Sequence, residues 1–95
     1  MGLASRRRPA KLAEKLKQIR VLLNLSQSEM VKKLGLEDEM GRERISKYER
    51  GILEPPLYIL YAYGKISNVY LEVFVDDEIE LPSSIPSVKK YEGLE

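Results

Sequence analysis

Leu12, Leu16, Ile19 and Leu23 recur four, three and four residues apart, one apolar stripe on a helix of about 3.6 residues per turn. Lys11, Lys15, Lys17 and Arg20 fall off that stripe. The pattern therefore predicts an amphipathic helix over residues 9–23 with a basic outer face. Pro9 starts it, because the missing N–H of proline would be unpaired in the first turn anyway. Ser26 opens a second helix: with Glu29 it makes the S-x-x-E capping box, in which each side chain satisfies a backbone donor of the first turn. Met30, Val31 and Leu34 form its buried face, and Gly35 ends it by taking a left-handed conformation. A helix of about eight residues is marginal alone, so tertiary packing has to hold it.

A third helix begins around Arg42, with Ile45 and Tyr48 as its apolar pair and Gly51 as its stop. The run "EPPLYILYAYGKIS" predicts a fourth, started by Pro56, turning Leu57, Leu60, Tyr61 and Gly64 to the core and ending at Asn68. "VYLEVFV", 69–75, has the β-branched and aromatic content of a strand. Its place after a helical hairpin favours a short fifth helix, which is the reading adopted. The expected fold is all-α: a bundle of four to five short helices over residues 9–80, with a flexible basic arm at 1–8. Two prolines and three serines in "LPSSIPSVKKYEGLE" make 81–95 a flexible tail.

Ninety-five residues suffice for one modest core, and 43% hydrophobic with 33% charged residues is a globular mixture. Without cysteine or histidine, disulfides, thiol nucleophiles and Cys/His zinc sites are excluded. No paired-acid or glycine-rich phosphate motif stands in for them, so no catalytic residue, cofactor or metal is expected. "DDEIE", 76–80, lacks the spacing and central glycine of a calcium loop and reads as a solvated acidic edge. No apolar run approaches the length of a membrane span, and the first residues have neither a myristoylation signal nor a signal peptide. The expected location is the cytoplasm.

The net charge of +1 hides an asymmetry. Residues 1–50 carry 13 Lys/Arg against 7 Asp/Glu, while 51–95 carry 3 against 8. One face of a small domain is thus prepared to meet an anionic partner.

Two short capped helices in succession, "LSQSEMVKKLG" and "ISKYERG", followed by "EPP", resemble the lambda-repressor-like, XRE-type helix-turn-helix family. Leu25, Ser26, Gln27, Leu34, Gly35, Ile45, Ser46, Glu49, Gly51 and Pro55 fit its pattern, and the resemblance spans residues 12–76. It implies sequence-specific binding of double-stranded DNA by a transcriptional regulator, bacterial or phage in style, working as a homodimer on a two-fold-related site. The runner-up is a protein-interaction module of the same fold, an antitoxin or a coactivator-like adaptor.

In such a motif the third helix lies in the major groove and the N-terminus of the second offers N–H groups to phosphate. Arg42, Glu43 and Lys47 are accordingly the base-reading candidates. Ser26, Gln27, Arg44, Arg50 and the arm residues Arg6, Arg7 and Arg8 are the phosphate candidates. Glu49 reads as structural, and the tyrosines as packing residues. One departure stands out: about five residues usually separate the Gly of helix 2 from the Ile of helix 3, whereas here nine do, 36–44. The additional four, within the acidic "LEDEM", either enlarge the turn or lengthen helix 3 at its front. Gly41, a poor helix-interior residue, favours the turn.

Overall fold

The computed structural model describes residues 9–87. Its elements are α1 (Leu12–Leu22), α2 (Gln27–Leu34), α3 (Arg42–Glu49), α4 (Leu57–Ser67) and α5 (Leu71–Val75), with no strand among the described residues. The apolar stripe of α1 makes it the central element, packed against α3, α4 and α5. Leu12, Leu16 and Ile19 are buried there with Met30, Val31 and Leu34 of α2, and Ile45 and Tyr48 of α3. From α4 come Ile59, Leu60 and Tyr63, and from α5 Val73 and Phe74, the last edge-on to Tyr63 at 6.4 Å between ring centroids. The segment 69–75 is thus helical where it counts. Packing of Val73 and Phe74 on α1 and α4 outweighs their strand propensity.

The apolar face of α4 differs from the one expected. Leu57 and Tyr61 are 66% and 55% exposed, while Ile59, Leu60, Tyr63, Gly64 and Ser67 face inward. Residues 57–63 are apolar on every side, so periodicity could not fix the phase. Tyr61 instead lies under the Lys65 ammonium, 5.6 Å from its ring centroid. Gly64 marks a close approach: a Cβ there would lie 2.9 Å from the Val69 carbonyl oxygen. Asn68 terminates α4 in the left-handed conformation at φ 57, as expected.

The start of α1 also departs from expectation. The regular helix begins at Leu12, not Pro9, with Lys11 as its N-cap and no side chain of its own capping it. The carboxylate of Asp77, distant in sequence, takes that role by accepting from the Ala10 N–H at 2.8 Å and the Lys11 N–H at 3.0 Å. Lys15, assigned to the solvated face by its charge, is buried. Its ammonium donates to the carbonyls of Val73 at 2.6 Å, Asp76 at 3.0 Å and Ile79 at 2.7 Å. All three of its protons are thereby used, one on a carbonyl of the last turn of α5 and two on carbonyls of the segment that follows it. The two contacts form a reciprocal clasp: α1 caps the end of α5 with a lysine, and the segment after α5 caps the start of α1 with an aspartate.

The tail begins as coil after residue 80, and its first part lies along the body. Leu81 and Ile85 are partly buried against the core, and the Asn68 side-chain amide donates to the Pro86 carbonyl at 2.9 Å. The basic arm, 1–8, and residues 88–95 lie outside the described residues.

Two expectations follow from the clasp. Lys15→Met keeps the length of the side chain but takes the ammonium from three carbonyls, of which Asp76 keeps the Ile79 N–H as a donor, so urea unfolding should show a loss of about 3 kcal/mol. An unaltered stability would mean that water replaces the ammonium freely. The second concerns acid. The N–H groups of Lys11 and Ala10 hold the Asp77 carboxyl below its ordinary value, so the stability it contributes is present above about pH 4 and lost as pH falls through the folded-state value. Asp77→Asn should therefore flatten the acid side of the stability profile, measured by denaturant unfolding across pH, and leave its shape near neutrality alone.

Candidate nucleic-acid interface

The local chemistry that builds α2 is the one read from the sequence. Ser26 Oγ accepts from the Glu29 N–H at 3.1 Å, and Glu29 Oε1 accepts from the Ser26 N–H at 2.8 Å. These bonds also hold the Glu29 carboxyl below its ordinary value. Gly35 closes the helix at φ 76, its N–H bonded to the Lys32 carbonyl and that of Leu36 to the Val31 carbonyl. With the capping box occupied, the N–H groups of Gln27 and Ser28 remain as the first-turn donors that helix geometry leaves without intrahelical acceptors.

The acidic stretch enlarges the turn. Residues 36–41 lie outside both helices, and α3 begins at Arg42 after Gly41 as N-cap. The Glu39 and Met40 N–H groups both bond the Leu36 carbonyl, at 2.9 and 3.1 Å, so the insertion closes a turn of its own. Leu36 is buried and Met40 partly buried, which plants both ends in the core. Between them Glu37, Asp38 and Glu39 point to solvent. Glu39 accepts from the Tyr58 hydroxyl at 2.9 Å, tying the turn to the start of α4.

On α3, Ile45 and Tyr48 face the core, while Arg42, Glu43, Arg44 and Lys47 are exposed together. Arg50, just past its end, is exposed too, but its Nε donates to Ser46 Oγ at 3.0 Å and the side chain is folded back on its own helix. Ser26 is engaged as a cap. Gln27 is half-buried, its Nε2 donating to Glu49 Oε1 at 3.3 Å.

That bond belongs to a network the sequence only half revealed. Glu49 was expected to act structurally; its partner, Arg20, was assigned to the outer face of α1. Arg20 Nε donates to Glu49 Oε2 at 2.7 Å and its Nη2 to Glu49 Oε1 at 3.0 Å, a bidentate pair, while Nη1 donates to the Leu25 carbonyl at 2.9 Å. The Glu49 side chain is 4% exposed and that of Arg20 16%. The Glu49 hydrogen bond keeps the guanidinium charged by raising its pKa further. Each residue follows an inward-facing neighbour, Ile19 and Tyr48, and opposite charges beside two core positions were the available signal. Through this network the end of α1, the entry to α2 and the end of α3 are fixed as one unit, with a four-residue exposed face on α3 and a helix N-terminus beside it.

The helix-turn-helix family model matches residues 16–74, the span from the middle of α1 to α5. The chain belongs to the XRE-type helix-turn-helix family. Among curated relatives of this helix-turn-helix protein, an uncharacterized HTH-type transcriptional regulator of Methanocaldococcus jannaschii is 34% identical over 70 residues, covering 70% of this chain and 100% of the relative. A second, an uncharacterized HTH-type transcriptional regulator of Archaeoglobus fulgidus, is 32% identical over 68 residues, covering 70% of this chain and 90% of its own. Both are archaeal, not bacterial or phage proteins. No solved structure gives a significant match. No helix of the described residues is long and apolar enough to cross a membrane.

Because Arg20 and Glu49 are mostly removed from solvent, truncating one strands the other. Glu49→Ala should lower the unfolding free energy by roughly 3 kcal/mol. Hydrogen exchange should rise in α3 and at the entry to α2 before it rises in α5. A uniform rise across all five helices would show that the pair does not act locally.

Proposed function

We propose that this helix-turn-helix protein is a transcriptional regulator that binds double-stranded DNA sequence-specifically, with α3 in the major groove. The observation that carries the reading is the face of α3. It exposes Arg42, Glu43, Arg44 and Lys47 together, on a helix locked to the entry of α2 by Arg20, Glu49 and Gln27. Arg42 and Lys47 have the donors to read a guanine edge, and Glu43 the acceptors to read cytosine N4. Arg44 and the backbone N–H groups at Gln27 and Ser28 take phosphates, with Ser26 and Gln27 shaping that site through the capping box and the Glu49 bond. Arg50 joins them once released from Ser46. Arg6, Arg7 and Arg8 extend the contact along the backbone. One short reading helix covers a half-site, so a homodimer on a two-fold-related operator is the assembly that completes it. The bound protein would work on chromosomal DNA in the cytoplasm; its archaeal relatives are likewise named HTH-type transcriptional regulators.

Titration of duplex DNA across a salt series tests this. Affinity should fall steeply, log K against log salt having a slope set by the phosphates neutralised, and binding indifferent to salt would sink the reading. In the same assay on a selected operator, Lys47→Ala should cost roughly 1–3 kcal/mol and relax preference at one base pair. A loss spread evenly over all sequences would make Lys47 a phosphate contact.

A further inference from the structure

The outer face of α4 is built from residues that a surface helix does not ordinarily show to water. In "LYILYAY", 57–63, no position is charged, so the helix is apolar on its outward side as well as its inward one. Ile59, Leu60 and Tyr63 go into the core, while Leu57, Tyr58 and Tyr61 are exposed. Tyr58, Tyr61 and Lys65, three and four residues apart, form one stripe along the middle of the outward side, about 10 Å from end to end.

The two ends of the stripe have opposite charge. At the start of α4 the Tyr58 hydroxyl donates to Glu39 at 2.9 Å, which holds the exposed carboxylates of the turn, Glu37, Asp38 and Glu39, at that end. Toward the other end the Lys65 ammonium lies 5.6 Å from the Tyr61 ring centroid. A surface that is acidic at one end, aromatic in the middle and cationic at the other is complementary to itself when a second copy is turned end for end. That half-turn is the operation of a two-fold axis. It sets Glu39 against the partner's Lys65 at both ends and brings the tyrosines of the two copies together near the axis. A parallel pairing would instead oppose lysine to lysine and acidic turn to acidic turn.

We propose that the outward face of α4 binds a second copy of this chain, antiparallel across a two-fold axis, with Glu39 and Lys65 pairing between copies. This rests on the homodimer assembly given under the proposed function and names the surface that makes it.

Sedimentation equilibrium of the full chain without DNA, at concentrations up to about 1 mM, measures the association. Glu39→Lys and Lys65→Glu are run alone and as an equimolar mixture, with melting curves to confirm that each is folded. The wild type should dimerise. Each variant alone meets like charges at both ends and should dimerise at least about tenfold more weakly. In the mixture the native Glu39 of one variant faces the native Lys65 of the other, and the introduced charges face each other, so a heterodimer of near wild-type affinity should form. Tyr61→Lys, which sets two cations together near the axis, should weaken the wild-type dimer as well.

A wild type that stays monomeric overturns the proposal, and so does a dimer that both reversals leave intact. If each reversal weakens the dimer but mixing restores nothing, the charges act within one copy and the antiparallel pairing is wrong. The duplex titration across salt is read separately from these runs. Salt-dependent DNA binding together with a dimer indifferent to the reversals would leave the regulator standing and remove only this surface.

Discussion

Arg20 joins three parts of the chain that no apolar contact alone would hold in register. Its planar guanidinium spends two nitrogens on Glu49 at the end of α3 and the third on the Leu25 carbonyl at the entry to α2. Hydrophobic packing is not directional and would tolerate a sliding of α3 along its neighbours. A bidentate ion pair largely shielded from water does not. The exposed face of α3 therefore has a fixed angle to the N-terminus of α2, and that angle is what a duplex would meet.

Helices of five to eleven residues cannot stand by themselves, and most of the polar detail in this molecule deals with their ends. Local devices serve α2, where Ser26, Glu29 and Gly35 close both termini. Distant devices serve α1 and α5, which cap each other through Lys15 and Asp77. The enlarged turn before α3 follows the same rule with apolar anchors, Leu36 and Met40, while its carboxylates stay in water. The two buried tyrosine hydroxyls, Tyr48 and Tyr63, have no hydrogen-bond partner among the described groups, and burial pushes the Tyr63 phenol well up.

What could be read from sequence divides along that line. The capping box, the glycine after α2, Asn68 after α4 and Gly41 before α3 act within a few residues of themselves, so local chemistry identified them. The core stripe of α1 was legible because charged positions flanked it. The inward face of α4 was legible only in part: Leu60 and Gly64 do face the core, but Leu57, Tyr58 and Tyr61 are as apolar as the residues actually buried. Lys15 and Arg20 were hidden for a different reason: a cation beside an apolar stripe belongs in water unless something distant receives it, and their receivers lie 58 and 29 residues away. In the candidate site the exposed residues of α3 were legible for the same local reasons, and the network that orients them was not.

The distance between Lys15 and its acceptors bears on how the protein is born. Val73, Asp76 and Ile79 follow the lysine by 58 to 64 residues. At about 5–20 residues per second, translation leaves α1 for some 3–12 s without the carbonyls that receive its ammonium or the carboxylate that caps its start. During that interval the first helix lacks the cap on its start and the acceptors for its lysine. The finished clasp forms only when nearly the whole domain has cleared the ribosome, so the nascent chain commits its first and last helices together.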